Sequence, residues 1–376
     1  MNLSNKDLAW AKEVFNKIDN KLSVTSEKSR EKIPFSTVDG VHDDSSNAIT
    51  NWTNGFWGGL MWLMYSQTGK DCYKITARRQ QEKLEEGFNR VHKFNHDVGF
   101  MFHILHGADY KLTGEEKSKN VNLLSAMILA SRYEPLGGFL RCWNGTWRGE
   151  DTDGWTIIDS MMNLGLLYWA TEITGDNRFK RIATTHADTV MQNHIRDDGA
   201  VNHIVVNNPN QFRSVVGVRG GQGYKEGSCW SRGCSWAIYG FVISYLYTGK
   251  EEYLETAKKC ADYFLKEVEK TNYLPLCDFL APPEPVYYDT TAGATTACGL
   301  IELAKILGDD GEKYLSGAIN ILKALEKNCN FTLEEDSILQ MGMQSYSSGV
   351  QKPIIYGDYY FTEAILKLLG NTFMPW

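Results

Sequence analysis

The chain has 376 residues, 43% hydrophobic and 23% charged, enough to bury a large core. Its formal net charge is −7, with no basic stripe, which argues against a nucleic acid as partner. No apolar run approaches membrane length and no Pro/Ser-rich linker or charge block divides the chain, so residues 1–376 read as one domain, with no membrane partner.

The first residues, Met1 to Glu13, form the start of an amphipathic helix with charges throughout, unlike a signal peptide. Eight cysteines are scattered singly with no CxxC pair, as expected of reduced thiols in a cytoplasmic protein. From there six short turns built on glycine punctuate the chain: Thr68-Gly69, Thr113-Gly114, Thr174-Gly175, Thr248-Gly249, Leu307-Gly308 and Leu369-Gly370. Glycine just past an apolar periodic run is what a helix C-terminus needs, because that residue adopts a left-handed conformation. Each turn is expected to join two helices. The stripes Leu60, Leu63, Met64, Gln67 and Met161, Leu164, Leu167, Tyr168 show the helical period. Strand signals are few; the best are Ala200 to Val206, then Gly138 to Trp143, both in connections. The fold class is therefore mainly α, six helical hairpins forming either a solenoid or a closed ring.

A polar-aromatic cluster lies 12 to 18 residues before each glycine. In order these contain Trp52, Asn54 and Trp57; His96 and Asp97; Trp155, Asp159 and Ser160; Trp230, Arg232, Cys234 and Trp236; Tyr288 and Asp289; Tyr356 and Asp358. At about 1.5 Å per residue the intervening helices are about 15 to 25 Å long, so all six clusters share one end. In a ring they converge on one mouth. Aromatic residues at helix starts can simply fill gaps, and an Asp there can be a cap. Gap filling does not explain why charged residues recur at equivalent places, and one or two of the aspartates are expected to be structural caps.

The pairs His92/His96 and His103/His106 have spacings that put two imidazoles on one helix face. No HExxH motif or carboxylate in register accompanies them, so no metal is expected. Carboxylates are better candidates. Asp159 lies between Ile157-Ile158 and Ser160-Met161-Met162, where desolvation raises a carboxyl pKa toward the range of a general acid. Asp97 holds the matching place one hairpin earlier. Two carboxylates on one cavity are the equipment of a glycosidase. Tryptophans 52, 143, 155, 230 and 236 offer faces for sugar rings, and the Arg232 guanidinium suits a carboxylate or sulfate unless a neighbouring Asp cap claims it.

Taken in order, Trp52-Thr-Asn54-Gly-Phe-Trp57, His96-Asp97-Val-Gly-Phe and Ile158-Asp159-Ser-Met-Met-Asn-Leu resemble the unsaturated glucuronyl hydrolases, glycoside hydrolase family 88. The segments Gln222-Gly, Ser-Cys-Trp230-Ser-Arg232-Gly-Cys-Ser-Trp236 and Asp289-Thr-Thr-Ala-Gly-Ala extend the likeness over nearly the whole chain. The resemblance implies an (α/α)₆ barrel that hydrates the C4=C5 double bond of a terminal uronate on a lyase-generated di- or oligosaccharide. It implies Asp159 as the catalytic acid, Asp97 as its partner, and Trp52, Asn54, His96, Trp143, His203, Gln222, Arg232 and Trp236 around the sugar, with no cofactor.

There are departures from the family pattern. Gly221 stands where His is expected, Cys234 where Gln is expected, and Ser345 to Lys352 only partly matches a Ser/Lys cluster for sulfate. Three other readings stay open. One is an unsaturated rhamnogalacturonyl hydrolase acting on pectin fragments. Another is a sugar 2-epimerase of the same toroid shape, with His96 and His203 as its only available pair. The third is a sugar-binding toroid without catalysis.

Overall fold

The computed structural model describes residues 3–376. Six helical segments are buried on all sides: α2 (Phe56–Thr68), the π-helix Gly99–Gly107 running into α4 (Ala108–Thr113), α6 (Ser160–Thr174), α8 (Ser231–Thr248), α10 (Thr290–Leu307) and α12 (Ile355–Leu368). A helix that is apolar all round has to be enclosed by others. Here each one packs against the next, and α12 packs back against α2, so the ring closes. Around it stand amphipathic helices with one buried face: α3 (Asp71–Glu85), α5 (Glu116–Ala130), α7 (Asn177–His194), α9 (Glu251–Glu269), α11 (Glu312–Glu326) and α1 (Asn5–Lys28). This is an (α/α)₆ barrel.

Four of the turns end their inner helices as expected, with Gly69, Gly114, Gly175 and Gly249 at φ between +66° and +74°. The sixth turn differs from the expectation. No helix follows Gly370, and α12 takes as its outer partner the first helix of the chain, α1. Residues 371–376 instead fold into the barrel. The indole of Trp376 stacks on Tyr360 with centroids 5.8 Å apart, and its Nε1 donates to Glu363 at 3.1 Å. The apolar interior takes the indole.

Connections on the N-terminal side of the inner helices carry short antiparallel ladders. The largest has three strands, Trp155–Ile157, Ile204–Asn207 and Val215–Arg219. Both expected strand regions contain strand, shorter than anticipated: Ile204–Asn207 in one, Phe139–Leu140 in the other. All eight cysteines are free thiols. No helix among the described residues is long and apolar enough to cross a membrane.

Candidate active site

The inner helices all start at one end of the barrel, and there a cavity of about 320 Å³ opens. Five of the six connections wall it. They supply Trp52 before α2, His96 and Asp97 before the π-helix, and Trp143 and Asp159 before α6. Gln222 comes from the connection before α8, and Gln344 and Ser345 from the one before α12. Beneath it an aromatic floor fills the barrel axis. Phe100 packs on Trp236 at 5.3 Å and on Trp376 at 5.8 Å, and Trp236 packs on Tyr360 at 5.6 Å.

Asp159 occupies the N-cap position of α6, yet its carboxylate caps nothing. Compare Asp289, which does cap α10 by accepting from Thr291 N. The Asp159 side chain keeps 14% of its surface open, enough to meet a ligand in the cavity and too little for full hydration. Burial pushes its pKa up from 3.8 to about 7, against the pull of the Arg232 guanidinium and a backbone N–H. Asp97 is pushed well above the usual carboxylate range, first by burial and then by the charge of Asp159. Two carboxyl groups on one cavity, both raised by burial, are an arrangement that could serve as an acid and its partner.

Backbone pairing delivers the groups around Asp159. Ile157 pairs with Ile204 in the ladder, and Ile158 N donates to the carbonyl of His203 at 3.1 Å. That register sets the His203 ring beside Asp159, with Nε2 3.9 Å from Oδ1. Two backbone groups hold His203 Nδ1, Gln222 N donating to it at 3.0 Å and the Gly220 carbonyl lying 3.2 Å away, so Nε2 is the ring nitrogen that faces the carboxyl. Burial holds the His203 pKa down at about 3 and that of His96 well below 6.5, so both rings are neutral. Asn163, one turn into α6, joins the two aspartate segments. Its Oδ1 accepts from Phe100 N at 2.9 Å and its Nδ2 donates to the Asp159 carbonyl at 3.3 Å. Gly99 leaves room for it, since a Cβ there would lie 2.5 Å from Asn163 Oδ1. Asp97 contacts His96 Nε2 at 3.3 Å, and His96 N is tied to the Cys142 carbonyl beside Trp143.

Of the residues expected around the sugar, Trp52, His96, Trp143 and Gln222 line the cavity with the two aspartates. Asn54 does not. It is buried, with Nδ2 bonded to the Ala48 carbonyl at 2.9 Å, inside the turn that presents Trp52. Trp236 belongs to the aromatic floor, and Arg232 lies wholly buried below the lining. Arg232 forms an ion pair with Asp289 and donates to the carbonyls of Met343 at 2.7 Å and Gln344 at 2.9 Å. The neighbouring cap has claimed it, and it fastens the segment that carries Gln344 and Ser345. Trp155 and Trp230 are buried as well, Trp230 against the His203 ring at 4.2 Å. Asp358 is structural, accepting from the backbone of Ile338 and Leu339.

The two departures at 221 and 234 have local reasons. A Cβ on Gly221, whose φ is +61°, would lie 2.1 Å from His203 Nδ1, so only glycine lets this loop press on that ring. Cys234 faces away from the cavity, toward the Cys260 carbonyl on α9 at 3.8 Å. In the Ser345 to Lys352 stretch Ser345 reaches the cavity, while the Lys352 ammonium sits over the Phe35 ring at 4.6 Å. The histidine pairs separate: His103 bonds Asn122 and His106 contacts Glu85. No group of three His, Cys, Asp or Glu among the described residues could hold a metal.

Four lining residues went unnoticed in the sequence: Asn95, Trp147, Arg148 and Gln344. Trp147 and Arg148 sit in the tight ladder Thr146–Trp147 with Glu150–Asp151, which the pair Gly145 and Gly149 could have signalled.

No family model matches the chain. Among curated proteins it is 33% identical to an unsaturated glucuronyl hydrolase of Bacillus sp. strain GL1, over 88% of this chain and 89% of that one. It is 30% identical to an unsaturated chondroitin disaccharide hydrolase of Streptococcus pneumoniae, over 97% and 93%. The crystal structure of the Bacillus sp. GL1 enzyme superposes with a TM-score of 0.86 at 31% identity, covering 94% of this chain and 96% of that one. The Streptococcus agalactiae unsaturated glucuronyl hydrolase superposes with a TM-score of 0.88 at 28% identity, over 100% and 95%. On this identity across nearly the full length, and on the shared barrel, the chain belongs to the unsaturated glucuronyl hydrolase family.

Proposed function

We propose that this enzyme removes the terminal 4,5-unsaturated uronate from glycosaminoglycan fragments left by lyases, by hydrating the C4=C5 double bond. The observation that carries the reading is Asp159, an uncapping carboxyl with a pKa of about 7 at the edge of the cavity. Near neutral pH such a group can give up a proton and take one back. Asp159 protonates C4, the positive charge develops at C5 beside the ring oxygen, and water adds at C5 while its proton returns to the carboxylate. The C5 hemiketal then opens to a ketone, and C1, now a hemiacetal, sheds the neighbouring sugar. One water is consumed and Asp159 is regenerated. Asp97 and His203 hold hydroxyls of the uronate, and Trp52, backed by Tyr356 at 5.0 Å, offers its face to the ring.

The relatives support the substrate class. One solved Streptococcus agalactiae unsaturated glucuronyl hydrolase mutant is complexed with dGlcA-GalNAc6S, and another unsaturated glucuronyl hydrolase is described as specific for heparin. The whole chain acts as one catalytic domain in this reading. Eight free thiols fit a reducing, cytoplasmic setting. The test is a panel of unsaturated disaccharides from chondroitin, hyaluronan, heparin and pectin, followed by loss of the alkene absorbance. Turnover of the glycosaminoglycan members is expected. Turnover confined to the pectin-derived member would transfer the enzyme to the rhamnogalacturonyl group.

A further inference from the structure

Outside the catalytic cavity a second depression of about 580 Å³ continues the same opening. The two share Asn95, Trp143 and Trp147, so a chain leaving the first enters the second. The outer groove is held rigidly. Asn144 donates to the carbonyls of Phe94 at 2.9 Å and His92 at 3.2 Å and accepts from Arg132 at 2.9 Å, fixing the 144–151 hairpin to the 92–94 segment. The rings of Trp143 and Trp147 lie 5.7 Å apart along its wall.

Its charges are distinctive. Nearby cations are mostly engaged: Arg141 with Asp153, Arg219 with Glu150, Arg132 with four backbone carbonyls. Lys93, in the outer groove, and Arg148, at the junction, have no acidic partner among the described residues. Arg148 rests on the Trp147 ring at 4.3 Å. Two tryptophan faces beside unpaired cations suit a sugar ring that carries an anion.

We infer that the outer groove is a subsite for the second uronate of a longer substrate, with Trp147 against its ring and Lys93 on its carboxylate. The inference rests on the function proposed above. In a chain of alternating uronate and amino sugar, the unit beyond the cleaved pair is again a uronate. An unsaturated tetrasaccharide therefore fills both cavities, and a disaccharide fills one.

The experiment compares an unsulfated unsaturated disaccharide with the tetrasaccharide of the same repeat, on the parent enzyme and on Lys93→Gln. The parent is expected to show the higher kcat/KM on the tetrasaccharide. In Lys93→Gln that value falls about two- to fivefold, the scale of an exposed charge pair, through KM and not kcat. Its disaccharide kinetics stay unchanged, and raising the salt erases the difference between the two proteins. Equal kinetics of parent and Lys93→Gln on the tetrasaccharide, or an equal loss on both substrates, would overturn the subsite. Tetrasaccharide binding is also titrated calorimetrically on Asp159→Asn with and without Lys93→Gln. This arm separates the two ideas. A parent that consumes neither substrate sinks the proposed function, and unchanged binding in the double variant sinks the subsite.

Discussion

His203 turns Nε2 toward Oδ1 of Asp159 across 3.9 Å, too far for a hydrogen bond, and neither atom has another partner. Two buried polar atoms left open toward one gap mark where a ligand oxygen belongs. The pair exists because one ladder register carries both residues. Asp159 follows the strand Trp155–Ile157 by two residues, and His203 precedes its partner strand Ile204–Asn207 by one. Replacing His203 with Asn or Ala is expected to raise KM more than it lowers kcat, because the ring is neutral and holds the ligand without exchanging a proton.

Asp159→Asn removes the proton that the proposed hydration needs. Turnover on an unsaturated disaccharide is expected to fall by roughly 10² or more while substrate binding persists. Steady-state kinetics paired with calorimetric binding reads both. Turnover within a few-fold of the parent would exclude Asp159 as the acid.

The acid form of Asp159 is the working form in the proposed reaction, so kcat/KM is expected to be level below pH 7 and to fall about tenfold per pH unit well above it. A full pH profile of kcat/KM locates the limb. Burial, and not the Asp97 carboxyl, is what raises the Asp159 pKa. In Asp97→Asn the falling limb is therefore expected to keep its place.

The same carboxyl weighs on stability. Its folded pKa of about 7 exceeds the ordinary 3.8, so the native protein binds a proton that the unfolded chain releases. Its contribution is intact below pH 3.8 and is lost as pH rises through 7, by at most about 4 kcal/mol. Asp159→Asn is therefore expected to melt above the parent at pH 8 and level with it at pH 4. Thermal unfolding at the two pH values checks the sign.

Gly221→Ala drives a methyl group into His203, whereas Gly227→Ala, at φ +74°, meets open space. Both variants carry left-handed strain, and only the first displaces the ring. Gly221→Ala is expected to lose about tenfold or more in kcat/KM, since small misplacements at a reacting centre are costly. Gly227→Ala is expected to keep parental kinetics with a small stability loss. Equal kinetic losses would mean that the steric argument at His203 is wrong.

Arg232→Ala strips the partner from a wholly buried Asp289 and frees the carbonyls of Met343 and Gln344. A stability loss of about 3–5 kcal/mol is expected, visible in urea unfolding. Arg232→Met combined with Asp289→Leu, which leaves no lone charge, is expected to recover part of it. Cys234→Ser, beside the Cys260 carbonyl, is expected to change activity little.

Much of this protein was determined by its sequence alone. Helical period and glycine caps act over one or two turns, so the hairpins and their common end were legible, as was a charged residue embedded among Ile157, Ile158 and Met161 at a helix start. The ordered motifs carried the family. Only the tertiary structure decided that α1 from one end of the chain would be the outer partner of α12 at the other, and that Trp376 would fill the barrel floor. The same holds for the division among like residues. Asp289 and Asp159 both precede inner helices, but Asp289 caps its helix and is neutralised by Arg232, whereas Asp159 is left uncapped over a cavity. Residue type and spacing are alike at both. Which carboxyl stays unpaired depends on which cation the closed ring brings within reach, and no local pattern contains that distance.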